Sequence, residues 1–167
     1  MNGGGLLSPP IGPDVALEEA RRAITRVRAE GRPGFDTAVT AGQPGQPSYV
    51  ERLDDPGRGY FLVPWLEQRG IVLIVQVDAE SGQMASVALQ SQPGQQLVLS
   101  PAEAQCRAAE SLGVRVMAEP RLVWQPCRET ASPFLPLYQI PVAGGSVFVA
   151  MDGSVYRQLT PFLKGGA

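Results

Sequence analysis

Residues 60–82, YFLVPWLEQRGIVLIVQVDAESG, and residues 138–153, YQIPVAGGSVFVAMDG, pass through the same events in the same order. Each begins at a tyrosine and runs through a proline-containing strand to a turn glycine (Gly70, Gly145). An aliphatic strand follows, and it ends in a turn built from aspartate and glycine (Asp78 to Gly82, Asp152-Gly153). Asp-Gly favours a hairpin because both central positions tolerate positive φ. The first stretch has four more residues between its tyrosine and its aspartate than the second. An ordered repeat of this kind predicts two copies of one supersecondary unit.

Working outward, each copy follows a helical pattern. Over 14–29, Leu17, Ala20, Ile24 and Val27 recur on one face, while Glu18, Glu19, Arg21, Arg22, Arg26 and Arg28 take the others. Pro13 and Asp14 start that helix, and Gly31 with Pro33 stops it. A second helix is expected from Pro101, with Ser100 as cap and Glu103 placed for a capping box. Its expected inner face is Ala102, Cys106, Ala109 and Leu112, and Gly113 ends it. Period-two patterning predicts strands near 49–53, 60–65, 71–77 and 84–90 in the first half. In the second half they fall near 114–118, 121–125, 137–142, 146–151 and 155–159.

The expected organisation is a flexible N-terminus over 1–12, one repeat over 13–90, a polar linker over 91–96, a second repeat over 97–162 and a flexible tail over 163–167. The fold class is α+β, each repeat laying one helix on a small antiparallel sheet whose apolar face needs cover.

Composition narrows function further. The chain has 167 residues, 18% of them charged, with 19 glycines and 16 prolines. That density of helix breakers excludes a helix bundle. There is no histidine, which removes Ser-His-Asp and Cys-His catalysis and histidine-ligated zinc. The only lysine, Lys164, lies in the glycine-rich tail, a poor place for a desolvated Schiff base. A net charge of −2 without a basic cluster argues against nucleic acid. The longest aliphatic run, 71–75, is too short to cross a bilayer, so no membrane insertion is expected. Residues 1–10 have no signal-peptide pattern. Two readings of that end stay open, a cytoplasmic protein or a chain whose targeting or anchoring segment has been removed.

The closing hairpin PLYQIPVAGGSVFVAMDGSVY, residues 136–156, and more loosely residues 60–84, are similar to the end of PepSY-type domains. In those domains a helix packs on a small antiparallel sheet in a cystatin-like arrangement. The resemblance covers about 13–90 and 97–162, and it implies tandem PepSY-like units. It also implies a non-catalytic protein- or peptide-binding or regulatory module of the bacterial cell envelope, peptidase-inhibitor-like or sensor-regulating. With it comes an extracytoplasmic location, a protein or peptide partner, and no catalytic, cofactor or metal residues. A structural spacer of a larger envelope protein or lipoprotein is the alternative, and a carboxylate-only enzyme, needing two acids of split pKa, stands third.

Several residues invite a closer reading. Cys106 on the second helix and Cys127 after the strand 121–125 are either a helix-to-sheet disulfide, expected in an oxidising compartment, or two buried thiols. Trp65, with Arg69 and Tyr60, forms a weak candidate partner surface against the default that the aromatics are core. Asp54-Asp55 reads as a solvated turn before Pro56-Gly57 more than as paired catalytic acids. Asp78, Glu80 and Ser81 read as a hairpin turn more than as calcium ligands. Ser146 lacks a nucleophile elbow and starts a strand.

Overall fold

The computed structural model describes residues 11–35, 42–94 and 99–162. Of the flexible ends expected over 1–12 and 163–167, positions 1–10 and 163–167 lie outside the described residues, as do linker positions 95 and 96, while Gly12 is the N-cap of the first helix and Ile11 packs against its core. Among the described residues the chain is α+β, with two long helices and nine strands. The helices are α1 (Pro13–Ala29) and α2 (Pro101–Leu112). The strands are β1 (Gln43–Pro44), β2 (Ser48–Arg52), β3 (Gly59–Glu67), β4 (Gly70–Asp78), β5 (Met84–Gly94), β6 (Arg121–Trp124), β7 (Leu137–Val142), β8 (Gly145–Ala150) and β9 (Val155–Tyr156). The chain divides into two compact units, Met1–Tyr49 with Asp55–Gly94, and Val50–Asp54 with Gln95–Ala167.

In the first unit α1 carries proline in its first turn, Asp14 at its positive end, and Arg26 and Arg28 at its negative end. It lays Ala16, Ala20, Ala23, Ile24 and Val27 inward. Small side chains there let the helix approach the antiparallel meander β3–β4–β5. The register pairs Phe61 with Val77, Val63 with Val75 and Trp65 with Leu73, and these six form the sheet side of the core under α1. Glu19 is buried on the same helix. It accepts the Met84 backbone N–H at 3.1 Å and pairs with Arg26 at 3.1 Å, so α1 is fastened to the start of β5 by a carboxylate that is not left uncompensated.

The short β1 lies antiparallel on β3, with Pro44 opposite Trp65. Gly42, just before it, must be glycine for a spatial reason. A Cβ there would stand 2.0 Å from the indole nitrogen of Trp65.

In the second unit α2 has the expected capping box. The Glu103 N–H donates to Ser100 Oγ at 3.2 Å, and the Ser100 N–H donates to Glu103 Oε2 at 2.8 Å. Gly113 takes the left-handed C-cap, φ +64°. Replacing Ser100 by alanine removes the acceptor of the Glu103 N–H and the hydroxyl bond to Glu103 Oε2, and leaves the Ser100 backbone N–H bond in place. It should cost about 1 kcal/mol, read as a lower urea midpoint with unchanged m.

The meander β6–β7–β8–β9 supports α2 through Tyr138, Ile140, Val147 and Val149, which face Ala104 and Ala108. The Tyr138 hydroxyl donates to the Leu99 carbonyl at 2.8 Å, and burial raises its pKa. Adjacent residues along a strand point to opposite faces. Leu137, Val123, Ala150 and Cys127 therefore build a second small core on the face away from α2.

Four expectations need correction. The strand expected over 114–118 does not form. Only a bridge from Val116 to Val142 and a hydrogen bond from the Met117 N–H to the Pro141 carbonyl are present, because β6 already pairs with Leu137 to Gln139 and β8 takes the other edge of β7, which leaves only the end of β7 to pair with. The inner face of α2 is Ala104 and Ala108, with Leu112 half-buried, whereas Ala102, Cys106 and Ala109 are exposed. Strand β5 runs on to Gly94, through the first four positions read as linker, with Gly94 opposite Ile71. Proline is tolerated there because β5 is an edge strand, last in the order β5–β4–β3. Residues 50–54 group with the second unit because the end of β2 pairs in parallel with β6, Glu51 opposite Val123 and Arg52 opposite Trp124.

Candidate functional site

The second unit carries a cleft of about 120 Å³ lined by Glu129, Thr130, Leu135, Ala150, Met151 and Asp152. One wall is the loop from Cys127 to Leu135. It has no periodic pattern, and hydrogen bonds give it shape. The Thr130 hydroxyl donates to the Leu135 carbonyl at 2.6 Å, the Leu135 N–H to the Ser132 carbonyl at 3.0 Å, and the Phe134 N–H to Ser132 Oγ at 3.2 Å. The other wall is the β8–β9 turn. There the Ala150 N–H donates to the Ser154 carbonyl at 2.8 Å, the Gly153 N–H donates to the Ala150 carbonyl at 2.9 Å, and Gly153 takes φ +87°.

Thr130 and Ala150 are buried, Leu135 stands 55% exposed at the rim, and Met151 is half-buried. The volume is that of roughly four water molecules. A single amino-acid side chain is the scale of guest it suits.

Two carboxylates border this apolar space. The Thr160 N–H donates to Glu129 Oε2 at 2.9 Å, and that bond holds the Glu129 carboxyl below its ordinary pKa. The Ser154 N–H donates to Asp152 Oδ1 at 2.8 Å and lowers its pKa in the same way. Both are therefore anions at neutral pH. Among the described residues neither forms an ion pair. Acid–base catalysis by two carboxyls needs one held protonated and one ionised. Here both are pushed the same way.

Cys127 sits beneath this loop, buried. Burial raises its thiol pKa, the opposite of what a nucleophilic cysteine needs. Cys106 is exposed on the outer side of α2 and both cysteines are free thiols, so of the two readings left open the disulfide is absent and the buried thiol holds for Cys127 only. The reason is the rotation of α2: the face that meets the sheet is Ala104 and Ala108, not the one carrying Cys106.

The expected partner surface is likewise corrected. Trp65 and Tyr60 are buried, and Arg69 alone is exposed, at the β3–β4 turn. Asp54 and Asp55 do not form a dyad. Asp54 is paired with Arg52 at 2.6 Å, and Asp55 lies 3.5 Å from Arg58. Asp78 Oδ1 accepts the N–H groups of Glu80 and Ser81 and the Ser81 hydroxyl, the wiring of a hairpin turn. Among the described residues no three metal-ligating side chains cluster.

In the sequence Asp152 stands out only as a turn residue, and nothing marks Glu129 or Leu135. The Asp152-Gly153 pair was the one legible signal.

The carboxylates give a pH prediction. Contact with Arg52 lowers the pKa of Asp54. At Asp78 burial raises it, and the Ser81 and Glu80 donors outweigh that. Backbone donors lower Asp152 and Glu129. A folded-state pKa below the unfolded one stabilises the fold above the unfolded value, and that stability is lost as pH falls through the folded value. Urea midpoints should therefore be level near neutrality and drop below about pH 4. Asp78→Asn should blunt part of the drop, and an unchanged profile in that variant would count against this wiring.

Comparison with protein-family models, curated proteins and solved structures finds no match for this chain.

Proposed function

We propose that the chain is a non-catalytic module that binds a protein or peptide outside the bacterial cytoplasm, and that its two units are diverged copies of one PepSY-like element. The binding reading is carried by the cleft, a floor of Ala150 and Thr130 between two fixed anions, with neither carboxyl held protonated as an acid and the nearby Cys127 thiol buried. Such a site can select a cationic side chain and has no group ready to transform it.

Correspondence between the units supports the reading of copies. Both helices open on a proline, Pro13 and Pro101. Ala16 and Ala20 have the places of Ala104 and Ala108, and Ile11 and Leu99 pack against the cores at the same distance before them. In the sheets Phe61 opposite Val77, Val63 opposite Val75 and Pro64 opposite Ile74 match Tyr138 opposite Val149, Ile140 opposite Val147 and Pro141 opposite Ser146. The tyrosine-on-tyrosine alignment expected from sequence is therefore out by one residue. Phe61, facing α1, has the place of Tyr138, facing α2.

The test is chemical crosslinking in intact source cells, followed by purification of the full chain from separated envelope and cytosol. One stoichiometric protein partner in the extracytoplasmic fraction is expected. A solely cytosolic chain, the absence of any partner, or turnover of a small compound by the purified protein would each overturn it.

A further inference from the structure

We infer that the cleft of the second unit binds a guanidinium group, the side chain of an arginine presented by a partner protein or peptide; this rests on reading the two units as copies. The first unit shows what belongs there. Its turn from Asp55 to Arg58 closes with the Arg58 N–H donating to the Asp55 carbonyl at 3.1 Å and leads into β3. The Arg58 guanidinium lies 3.2 Å from Glu80, on the turn between β4 and β5. In the second unit the turn from Ser132 to Leu135 closes with the same bond at 3.0 Å and leads into β7.

Leu135 thus stands where Arg58 stands. Asp152, two residues beyond the β8 residue that closes the next turn, stands where Glu80 stands beyond Asp78. The second unit has kept the acid and has leucine at the place of the arginine; Arg107 of α2 lies against Gly153 of the same turn, where a Cβ would stand 3.5 Å from its Nε, and makes no ion pair with Asp152. In place of the arginine it has the cleft itself, with an added carboxylate from Glu129.

The lining says which cation fits. Leu135 and Met151 offer apolar cover for a methylene stem, and Ala150 and Thr130 form a floor. Carboxylates from two separate elements suit a planar fork of donors better than a single ammonium point charge. Backbone amides already hold both acids in place, so little ordering is needed on binding.

The experiment is an amide-resolved NMR titration of the full chain with acetyl-Gly-Arg-Gly-amide. Parallel arms use the lysine peptide, the isosteric but neutral citrulline peptide, and free arginine. Saturable shifts are expected at Thr130, Leu135 and Met151 to Ser154, strongest for the arginine peptide and absent for citrulline. Asp152→Asn should weaken binding about tenfold, the scale of one charge-assisted hydrogen bond lost. Leu135→Arg should abolish it by filling the cleft from within, and should lower the titration midpoint of Asp152 further.

The ligand assignment is overturned by no saturable shift in the folded protein, by citrulline binding equally, or by Asp152→Asn binding unchanged. Free arginine binding as tightly as the peptide would overturn the macromolecular source. If Leu135→Arg leaves the Asp152 midpoint where it was, the correspondence of the turns fails, and with it the reading of copies. If that midpoint falls but the peptide does not bind, only the ligand is wrong.

Discussion

Replacing Trp65 by alanine should destabilise the protein by about 3–5 kcal/mol, the range for removing a large aromatic from a packed core. The residue is 7% exposed and belongs to the cluster of Phe61, Val63, Leu73 and Val75 under α1. It lies opposite Leu73 on β4 and opposite Pro44 on β1, so truncation opens a void bordered by two strands and the helix. Hydrogen bonding adds nothing to that loss, since among the described residues the buried indole Nε1 has no acceptor.

That separates two variants. Trp65→Phe keeps most of the apolar volume and should cost no more than about 1.5 kcal/mol, whereas alanine leaves the cavity. Gly42→Ala probes the same contact from the opposite side, since its Cβ would meet the ring at 2.0 Å and the chain must shift to admit it. Urea denaturation with matched m-values is the measurement, and alanine should lower the melting midpoint by roughly 10 °C. A loss below 1 kcal/mol would return Trp65 to the role of a surface anchor.

The parts of this fold that were legible in sequence are those in which one local signal dominates. The cap Ser100, the proline after it and Gly113 bound α2 within a residue, because each satisfies a backbone requirement of a helix end. Strands β3, β4, β7 and β8 were legible from their turns: Gly70, the Asp78 turn and Asp152-Gly153. Where the decisive interaction is distant, the letters were silent. Nothing in Val50 to Asp54 announces a parallel partner some seventy residues on, which the Glu51–Arg121 ion pair at 2.9 Å reinforces.

The cleft was hidden for a related reason. Its carboxylates come from a loop held by hydrogen bonds and from a hairpin turn, and only tertiary structure brings Glu129 and Asp152 to the same space. Trp65 misled in the other direction. Its neighbours Pro64 and the polar run Glu67 to Arg69 suggested a surface, yet seven consecutive residues of β3 from Gly59 to Trp65 are buried.

Ala108→Leu should cost about 1–3 kcal/mol, while Cys106→Leu should stay within about 0.5 kcal/mol of the parent. Both positions lie on α2, two residues and so roughly 200° apart around the helix, and both substitutions add a large apolar side chain. Only Ala108 has no room. It is fully buried against the sheet that presents Tyr138, Ile140, Val147 and Val149, and the Tyr138 hydroxyl is tied to the Leu99 carbonyl just ahead of the helix. Lifting α2 to admit the extra carbons would strain that tie as well as the packing.

Periodicity could not decide between these faces because alanine occupies both, at 102 and 109 on one side and at 104 and 108 on the other. Burial of the second pair lets the helix lie close on the sheet, and it leaves the Cys106 thiol in solvent, away from Cys127. The pair of variants measures that rotation directly by urea midpoint. Equal costs at the two positions, or a larger one at Cys106, would mean that α2 is turned the other way and would reopen the disulfide. The expected order keeps Cys127 as a core residue whose raised pKa makes it inert, and it requires labelling of the native protein to reach Cys106 alone.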